Sequence, residues 1–119
     1  MIVGYLITKI EASRELSDVR GQTTIAQKPE IVDVEKQNNM LVFSFRFTAE
    51  YSADNKKYAN ILVESKIFYI SDDIDKILEE WKNKNLRKEV AAEVLEFGSN
   101  ISLMEIISIS KSMQLPLIQ

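Results

Sequence analysis

The carboxylates are the side chains with the most evident chemical potential in this sequence, because five of them lie close together in its second half. They are Asp72, Asp73, Asp75, Glu79 and Glu80. Carboxylate oxygens bind Mg²⁺ and Ca²⁺, but this spacing matches neither an EF-hand loop nor another metal-ligand motif. Acidic residues in the first turn of a helix ordinarily complement the helix dipole. The sequence therefore predicts no metal site and no cofactor, while an oxygen-ligand metal enzyme built on Asp72, Asp73 and Asp75 remains an alternative.

Two residue types that support much of enzyme chemistry are missing, since the chain has no histidine and no cysteine. Ser–His pairs, Cys–His pairs, thiolate metal sites and disulfides are thereby excluded. The chain has three glycines and no glycine-rich phosphate-binding motif. We therefore expect a protein that is not an enzyme. The formal net charge of −3 provides no general attraction to nucleic acid or to an anionic membrane, so neither is expected as a partner.

The length of 119 residues fits one domain covering residues 1–119. Residues 1–7 are apolar, but this segment is short and has no basic lead, so we expect no signal peptide. No apolar run reaches the length of about 20 residues that spans a bilayer. We expect a cytoplasmic protein without membrane insertion. The pattern changes near Ser71, which predicts a sheet within residues 1–70 and helices and a tail within residues 71–119.

Four strands are predicted before Ser71, and the clearest has apolar residues at every second position, from Leu41 to Tyr51. The polar segment 52–57 is suited to a hairpin loop, and Pro29 places the start of the second strand at an edge or a bend. Consecutive strands with short links favour an antiparallel sheet. The predicted strands are 2–12, 31–35, 40–51 and 58–70.

Two helices are predicted after Ser71. The first has capping oxygens at residues 71–73 and an apolar face that includes Ile77 and Trp81. The second extends from about Arg87 to Met113, with a kink expected at Gly98. Its main apolar stripe consists of Val90, Val94, Phe97, Ile101 and Met104.

The second helix has more apolar side chains than a single stripe uses, because several lie far around the helix from Val90. A central helix buried by its own chain would explain them. We prefer an oligomer interface or a hydrophobic binding surface. The interface candidates are Leu95, Leu103, Ile106, Ile109 and Met113.

A second group of apolar residues interrupts the polar positions of the fourth strand and continues in the C-terminal tail. With Met40 and Val42 on the neighbouring strand, the strand residues could form a patch for a second copy or for a bound polypeptide. The polypeptide-binding candidates are Leu62, Phe68, Ile70, Leu115 and Leu117.

The order of strands and helices, together with the stretches 10–14, 43–51, 74–81 and 113–117, resembles the export chaperone SecB and its small archaeal and bacterial SecB-like relatives. The resemblance implies a four-stranded antiparallel sheet with two helices packed on one face. It also implies dimers or tetramers with helices at the interface, and ATP-independent capture of unfolded polypeptide. SecB ends in an acidic segment used with the translocation motor, whereas residues 115–119 of this sequence include no acidic residue. A role in bacterial-type secretion is therefore not expected.

The leading functional hypothesis is a SecB-like holdase chaperone that binds unfolded or exported polypeptides through exposed apolar surface. The surplus apolar side chains and the lack of catalytic motifs agree with it. The alternative is a non-catalytic oligomeric scaffold or adaptor that recognises one folded protein partner. Selectivity distinguishes the two, because an adaptor has one dominant partner.

Overall fold

The computed structural model describes residues 1–16 and 22–116. It contains four strands followed by two helices, and every pair of neighbouring strands is antiparallel. The strand order in the sheet is β1-β4-β3-β2, so β1 and β2 are the edge strands. The predicted α+β fold is confirmed. The elements are β1 (Ile2–Arg14), β2 (Thr23–Gln37), β3 (Met40–Ala53), β4 (Lys56–Tyr69), α1 (Ile74–Lys82) and α2 (Lys88–Ser112).

The two central strands supply most of the core, because alternate side chains of β3 and β4 face the helices and are buried. Both helices pack on this face of the sheet, α2 across β2, β3 and β4 and α1 across β2 and β3. The predicted alternation in β3 is therefore correct. The fully buried members of this face on β3 are Leu41, Phe43, Phe45, Phe47, Ala49 and Tyr51.

The β3–β4 hairpin is tighter than the sequence predicts. Only Asp54 and Asn55 form the turn, and the flanking residues of the predicted loop extend the strands. Both turn residues have positive φ angles, 51° and 62°. Two-residue turns of this kind match the right-handed twist of the strands, and Asp and Asn tolerate the left-handed conformation well.

Strand β2 is much longer than the predicted strand 31–35, since it begins at Thr23. Pro29 lies inside it, opposite Phe47. An edge strand tolerates proline because the missing N–H can face outward, away from the sheet. The register of β2 against β3 shifts between Ile31 and Asp33. Most side chains of β2 are exposed, so an alternation of apolar and polar residues does not reveal this strand in the sequence.

Helix α2 is continuous from Lys88 to Ser112, so Gly98 does not break the helix. Six of its seven buried residues recur at intervals of four, and each interval turns the buried position by about 40° around the helix. The face that meets the sheet therefore changes along the helix, as expected for a long helix on a twisted sheet. The residues of this line are Val90, Val94, Gly98, Ser102, Ile106 and Ser110.

The position of Ile106 corrects one interface expectation. Its side chain is 0% exposed and belongs to the hydrophobic core of its own chain. It lies about 160° around the helix from Val90, yet both residues meet the same core because the buried face rotates. Ile106 is therefore a core residue and does not face a second copy.

Both helices of the described ranges are too short or too polar to cross a membrane.

Candidate functional site

An apolar groove with a volume of about 770 Å³ lies on the helix side of the edge strand β2. We call it the β2–α2 groove. Strand β2 forms one wall, the end of α1 and the following loop form the second, and the first half of α2 forms the third. Its lining residues are Pro29, Glu30, Ile31, Trp81, Lys82, Lys84, Leu86, Ala91 and Leu95.

The apolar floor of the groove comes from side chains that the core covers only in part. Ile31, Trp81, Leu86 and Leu95 are each half-buried and pack against the edge of the hydrophobic core. A half-buried aromatic residue beside three aliphatic residues offers dispersion contacts and apolar area to a ligand. The groove is therefore suited to hold apolar side chains.

The second wall of the groove, which we call the loop wall, begins at the Schellman motif that ends α1. The N–H of Asn85 donates to the carbonyl oxygen of Glu80 at 2.8 Å, and the N–H of Lys84 donates to that of Trp81 at 3.0 Å. Lys84 has a φ angle of 57°, the left-handed conformation for which this position favours glycine. The motif turns the chain sharply and brings Leu86 back onto the core.

Arg87 holds this loop wall in place. Its guanidinium donates to both carboxylate oxygens of Glu80 at 2.8 Å and to Oδ2 of Asp73 at 2.7 Å. Asp73 and Glu80 belong to the start and the end of α1, while Arg87 directly precedes α2. Bidentate pairing fixes geometry as well as charge, so the cluster ties the two helices together behind the groove.

The charges of this cluster stabilise one another. Hydrogen bonds from Ser71 and then from Arg87 lower the pKa of Asp73. Hydrogen bonds from Arg87 lower the pKa of Glu80. The same two carboxylates raise the pKa of Arg87. All three groups are charged at neutral pH, as this geometry requires.

Two of the three acidic residues considered as metal ligands are engaged in protein contacts. Asp73 accepts from Arg87 and from the hydroxyl of Ser71, and Oδ1 of Asp75 lies 2.8 Å from Nζ of Lys36. No group of three or more metal-ligating side chains occurs within residues 1–16 and 22–116.

Asp73 is the N-terminal cap residue of α1, but its side chain makes no capping hydrogen bond. The expected side-chain capping by this residue is therefore wrong.

The polypeptide-binding candidates of β4 lie on the sheet face opposite the helices, and they do not form one patch. Leu62 and Phe68 are six residues apart, or about 20 Å along the strand. Ile70 follows the end of β4 near Phe68 and pairs with the backbone of Met1. The ring of Phe68 lies 3.6 Å from the position of a Cβ on Gly4, so it covers the glycine of the edge strand β1.

A row of alternating charges crosses all four strands between Leu62 and Phe68. Neighbouring members of the row are paired in register. The nitrogen–oxygen distances are 3.8 Å for Lys9–Glu64, 3.8 Å for Arg46–Glu64 and 3.4 Å for Arg46–Glu30. The row separates the apolar residues at the two ends of this face. It consists of Lys9, Glu64, Arg46 and Glu30.

Leu115 and Leu117 are the polypeptide-binding candidates of the C-terminal tail, and the structure describes only Leu115. Leu115 is buried in the hydrophobic core. Its N–H donates to the carbonyl oxygen of Ser110 at 2.9 Å, and Gln114 before it has a φ angle of 54°, so α2 also ends in a Schellman motif. Leu115 therefore closes the end of α2, which corrects its assignment to an exposed binding surface. Leu117 lies outside the described residues.

Four of the five interface candidates are half-buried on α2 or at its C-terminal cap, and one of them belongs to the groove. Leu95 lines the β2–α2 groove, whereas Leu103, Ile109 and Met113 pack at the edge of the core. Two other apolar residues of α2 are more exposed, Met104 at 70% and Ile107 at 38%.

The search for exposed apolar residues in the sequence missed most of the groove. The sequence places Pro29 at an edge or a bend before the second strand, Ile31 in that strand, and Trp81 only on the core face of α1. The available signal was Leu86, an isolated apolar residue between the polar segments Lys82–Asn85 and Arg87–Glu89. In the structure, Leu86 packs against the core.

Comparisons with known proteins support the fold. No family model matches the sequence, and no curated protein matches it. Among solved structures, the chain is similar to a SecB-like chaperone of Mycobacterium tuberculosis in complex with a ChAD peptide from the HigA1 antitoxin. The similarity covers 100% of this chain and 86% of that chain, with a TM-score of 0.59 and 11% sequence identity. The chain therefore has the fold of a SecB-like chaperone.

Proposed function

We propose that this protein is a non-catalytic, SecB-like chaperone that binds extended segments of other polypeptides in the β2–α2 groove. The observation that carries the proposal is the groove itself, an apolar site that follows an edge strand. An edge strand has backbone groups on one side without a partner strand, and an extended peptide can pair with them. Apolar side chains of the peptide would enter the groove beside Trp81 and Leu95.

The structural neighbour supports a protein ligand, since that SecB-like chaperone was solved with a bound peptide. Capture of this kind needs apolar burial and backbone pairing, and neither needs nucleotide hydrolysis. We therefore propose ATP-independent holdase activity towards unfolded chains. Purified protein is expected to suppress aggregation of a heat-unfolded client at near-stoichiometric ratio. Aggregation that continues at about tenfold molar excess of this protein would contradict holdase activity.

Peptide binding can be followed directly, because Trp81 is the single tryptophan of the chain and lines the groove. An apolar, tryptophan-free peptide should shift the Trp81 fluorescence to shorter wavelength by removing water from the indole. The variant Leu95→Gln should weaken binding about tenfold or more, because it places an amide in the apolar floor. Leu6→Gln is the matched control, since Leu6 is 57% exposed on β1 at the opposite edge of the sheet.

An adaptor for one folded partner is the second candidate. The separation of Leu62 from Phe68 by the charged row favours it, because a divided apolar surface offers less continuous area for unrelated unfolded chains. An adaptor should bind one partner at fixed stoichiometry and leave the aggregation of unrelated clients unchanged. Protection of several unrelated clients would favour the holdase.

We also propose that the protein forms dimers or tetramers through α2. Support comes from Met104 and Ile107, two exposed apolar residues one helical turn apart. A two-fold interface would use each residue twice. Sizing by light scattering tests the assembly independently of peptide binding.

A further inference from the structure

Two lysines at the rim of the β2–α2 groove have no ion-pair partner within the described part of the chain. Lys82 is the last residue of α1, Lys84 follows it in the loop, and both are exposed. Two other cations of this region are paired, Arg87 with Glu80 and Lys36 with Asp75. The rim therefore carries two positive charges that the described chain does not neutralise.

Two carboxylates near this rim, those of Glu30 and Glu80, are engaged elsewhere. Glu30 contributes to the groove wall, but its Oε1 lies 3.4 Å from Arg46 on the opposite face of the sheet. Both oxygens of Glu80 accept from Arg87. The two lysines thus remain free to pair with a ligand.

Lys84 also occupies a position whose left-handed backbone conformation favours glycine. The left-handed φ of 57° costs free energy for any residue with a Cβ. A lysine in the last turn of a helix complements the helix dipole, which accounts for Lys82. Lys84 lies beyond the helix in an unfavourable conformation, so helix stability does not account for its presence.

We infer that the β2–α2 groove selects polypeptide segments in which apolar side chains are flanked by aspartate or glutamate. The inference rests on the proposed function of the groove. The apolar side chains would contact Trp81, Leu86 and Leu95, while the flanking carboxylates would pair with Lys82 and Lys84. The net charge of −3 acts in the opposite direction, because it favours basic ligands. A preference for acidic peptides would therefore come from the rim and not from the overall charge.

Three end-blocked peptides of about nine residues, each about 30 Å long when extended, test the inference. They share a tryptophan-free apolar centre and differ only in the flanking residues, which are Asp, Asn or Lys. Titration followed by Trp81 fluorescence should show the Asp peptide binding about 3- to 10-fold tighter than the Asn peptide, with the Lys peptide weakest. Raising the salt from about 50 mM to about 300 mM should remove most of this difference, because exposed charges are screened.

The double variant Lys82→Gln, Lys84→Gly removes both rim charges, and glycine is the residue best suited to the conformation of Lys84. The Asp and Asn peptides should bind this variant equally. The control is Lys56→Gln, Lys111→Gln, which removes the same charge from exposed positions outside the groove. Lys111 lies about 24 Å along α2 from Leu95. The control should keep the preference of the wild type.

The outcomes separate the inference from the function on which it rests. Equal binding of the Asp and Asn peptides to the wild type, or an acidic preference that persists in the rim variant, would overturn the inference and leave the groove as a peptide site. If none of the three peptides changes the Trp81 fluorescence, the proposed function of the groove fails, and the inference fails with it.

Discussion

The aromatic ring of Phe45 lies against the backbone of Gly98, where a Cβ would be 2.7 Å from three ring atoms. Phe45 is 1% exposed in the middle of β3, so it has little room to move. Glycine at this point of α2 therefore serves the close approach of the helix to the sheet.

Gly98→Ala should destabilise the protein, although alanine is normally favoured over glycine in a helix by about 1 kcal/mol. The methyl group would collide with a fixed ring, and overpacking of this kind costs about 1–3 kcal/mol. Urea unfolding monitored by circular dichroism measures the change. Asn100→Ala, two residues further at an exposed position, should stabilise slightly through helix propensity alone. A more stable Gly98→Ala variant would contradict the close packing.

Ser102→Ala should stabilise the protein by about 1 kcal/mol, because the fully buried hydroxyl has no hydrogen-bond partner in the described structure. Ser110 provides a matched control on the same helix. It is also buried, but its hydroxyl donates to the carbonyl oxygen of Ile107 at 2.9 Å. Ser110→Ala should be neutral or destabilising. Thermal unfolding of the two variants against wild type decides the comparison, and equal effects would argue against an unsatisfied Ser102.

The Arg87 cluster should make stability depend on pH in the acid range. Because Asp73 and Glu80 have lowered pKa values in the folded protein, their contribution is complete above the ordinary values of 3.8 and 4.5. It is lost as the pH falls through the lower folded pKa values, since protons then bind the unfolded state more readily. The urea midpoints of wild type and Arg87→Gln should differ at pH 7 and converge towards pH 2. A difference that stays constant over this range would contradict the assignment.

Two substitutions on α2 should distinguish a core residue from a residue of the proposed oligomer interface. Ile106→Asp places an unpaired carboxylate in the core and should cost about 3–5 kcal/mol in the free energy of unfolding. Met104→Asp changes an exposed residue and should leave the fold intact while shifting an oligomer towards monomer. Light scattering and thermal unfolding on both variants measure these effects. A wild type that is monomeric at about 100 µM would remove the interface proposal.

Lys84→Gly alone should raise the free energy of unfolding by about 0.5–1 kcal/mol, because glycine adopts the left-handed conformation without a steric cost. The equivalent position at the end of α2 is Gln114, and Gln114→Gly should behave in the same direction. If Lys84→Gly stabilises the protein and weakens acidic-peptide binding, the lysine trades stability for binding. Destabilisation by both substitutions would contradict the two Schellman motifs.

The sequence by itself determined the elements whose signals are local. The alternation from Leu41 to Tyr51 predicted a strand with one buried face, because side chains of a strand alternate sides whatever they pack against. The spacing from Ile74 to Trp81 predicted α1 in the same way. Four strands followed by two helices then limited the fold to an antiparallel sheet with helices after it.

Tertiary structure alone decided which apolar residues are core and which form the candidate site. A single helical stripe places Ile106 opposite Val90, but α2 crosses a twisted sheet, and the buried face rotates until both residues meet one core. The β2–α2 groove joins Ile31 to Leu86 and Leu95 across more than 50 residues of sequence. Periodicity describes the neighbours of a residue within one element, whereas a groove is defined by the distance between elements, which depends on how they pack.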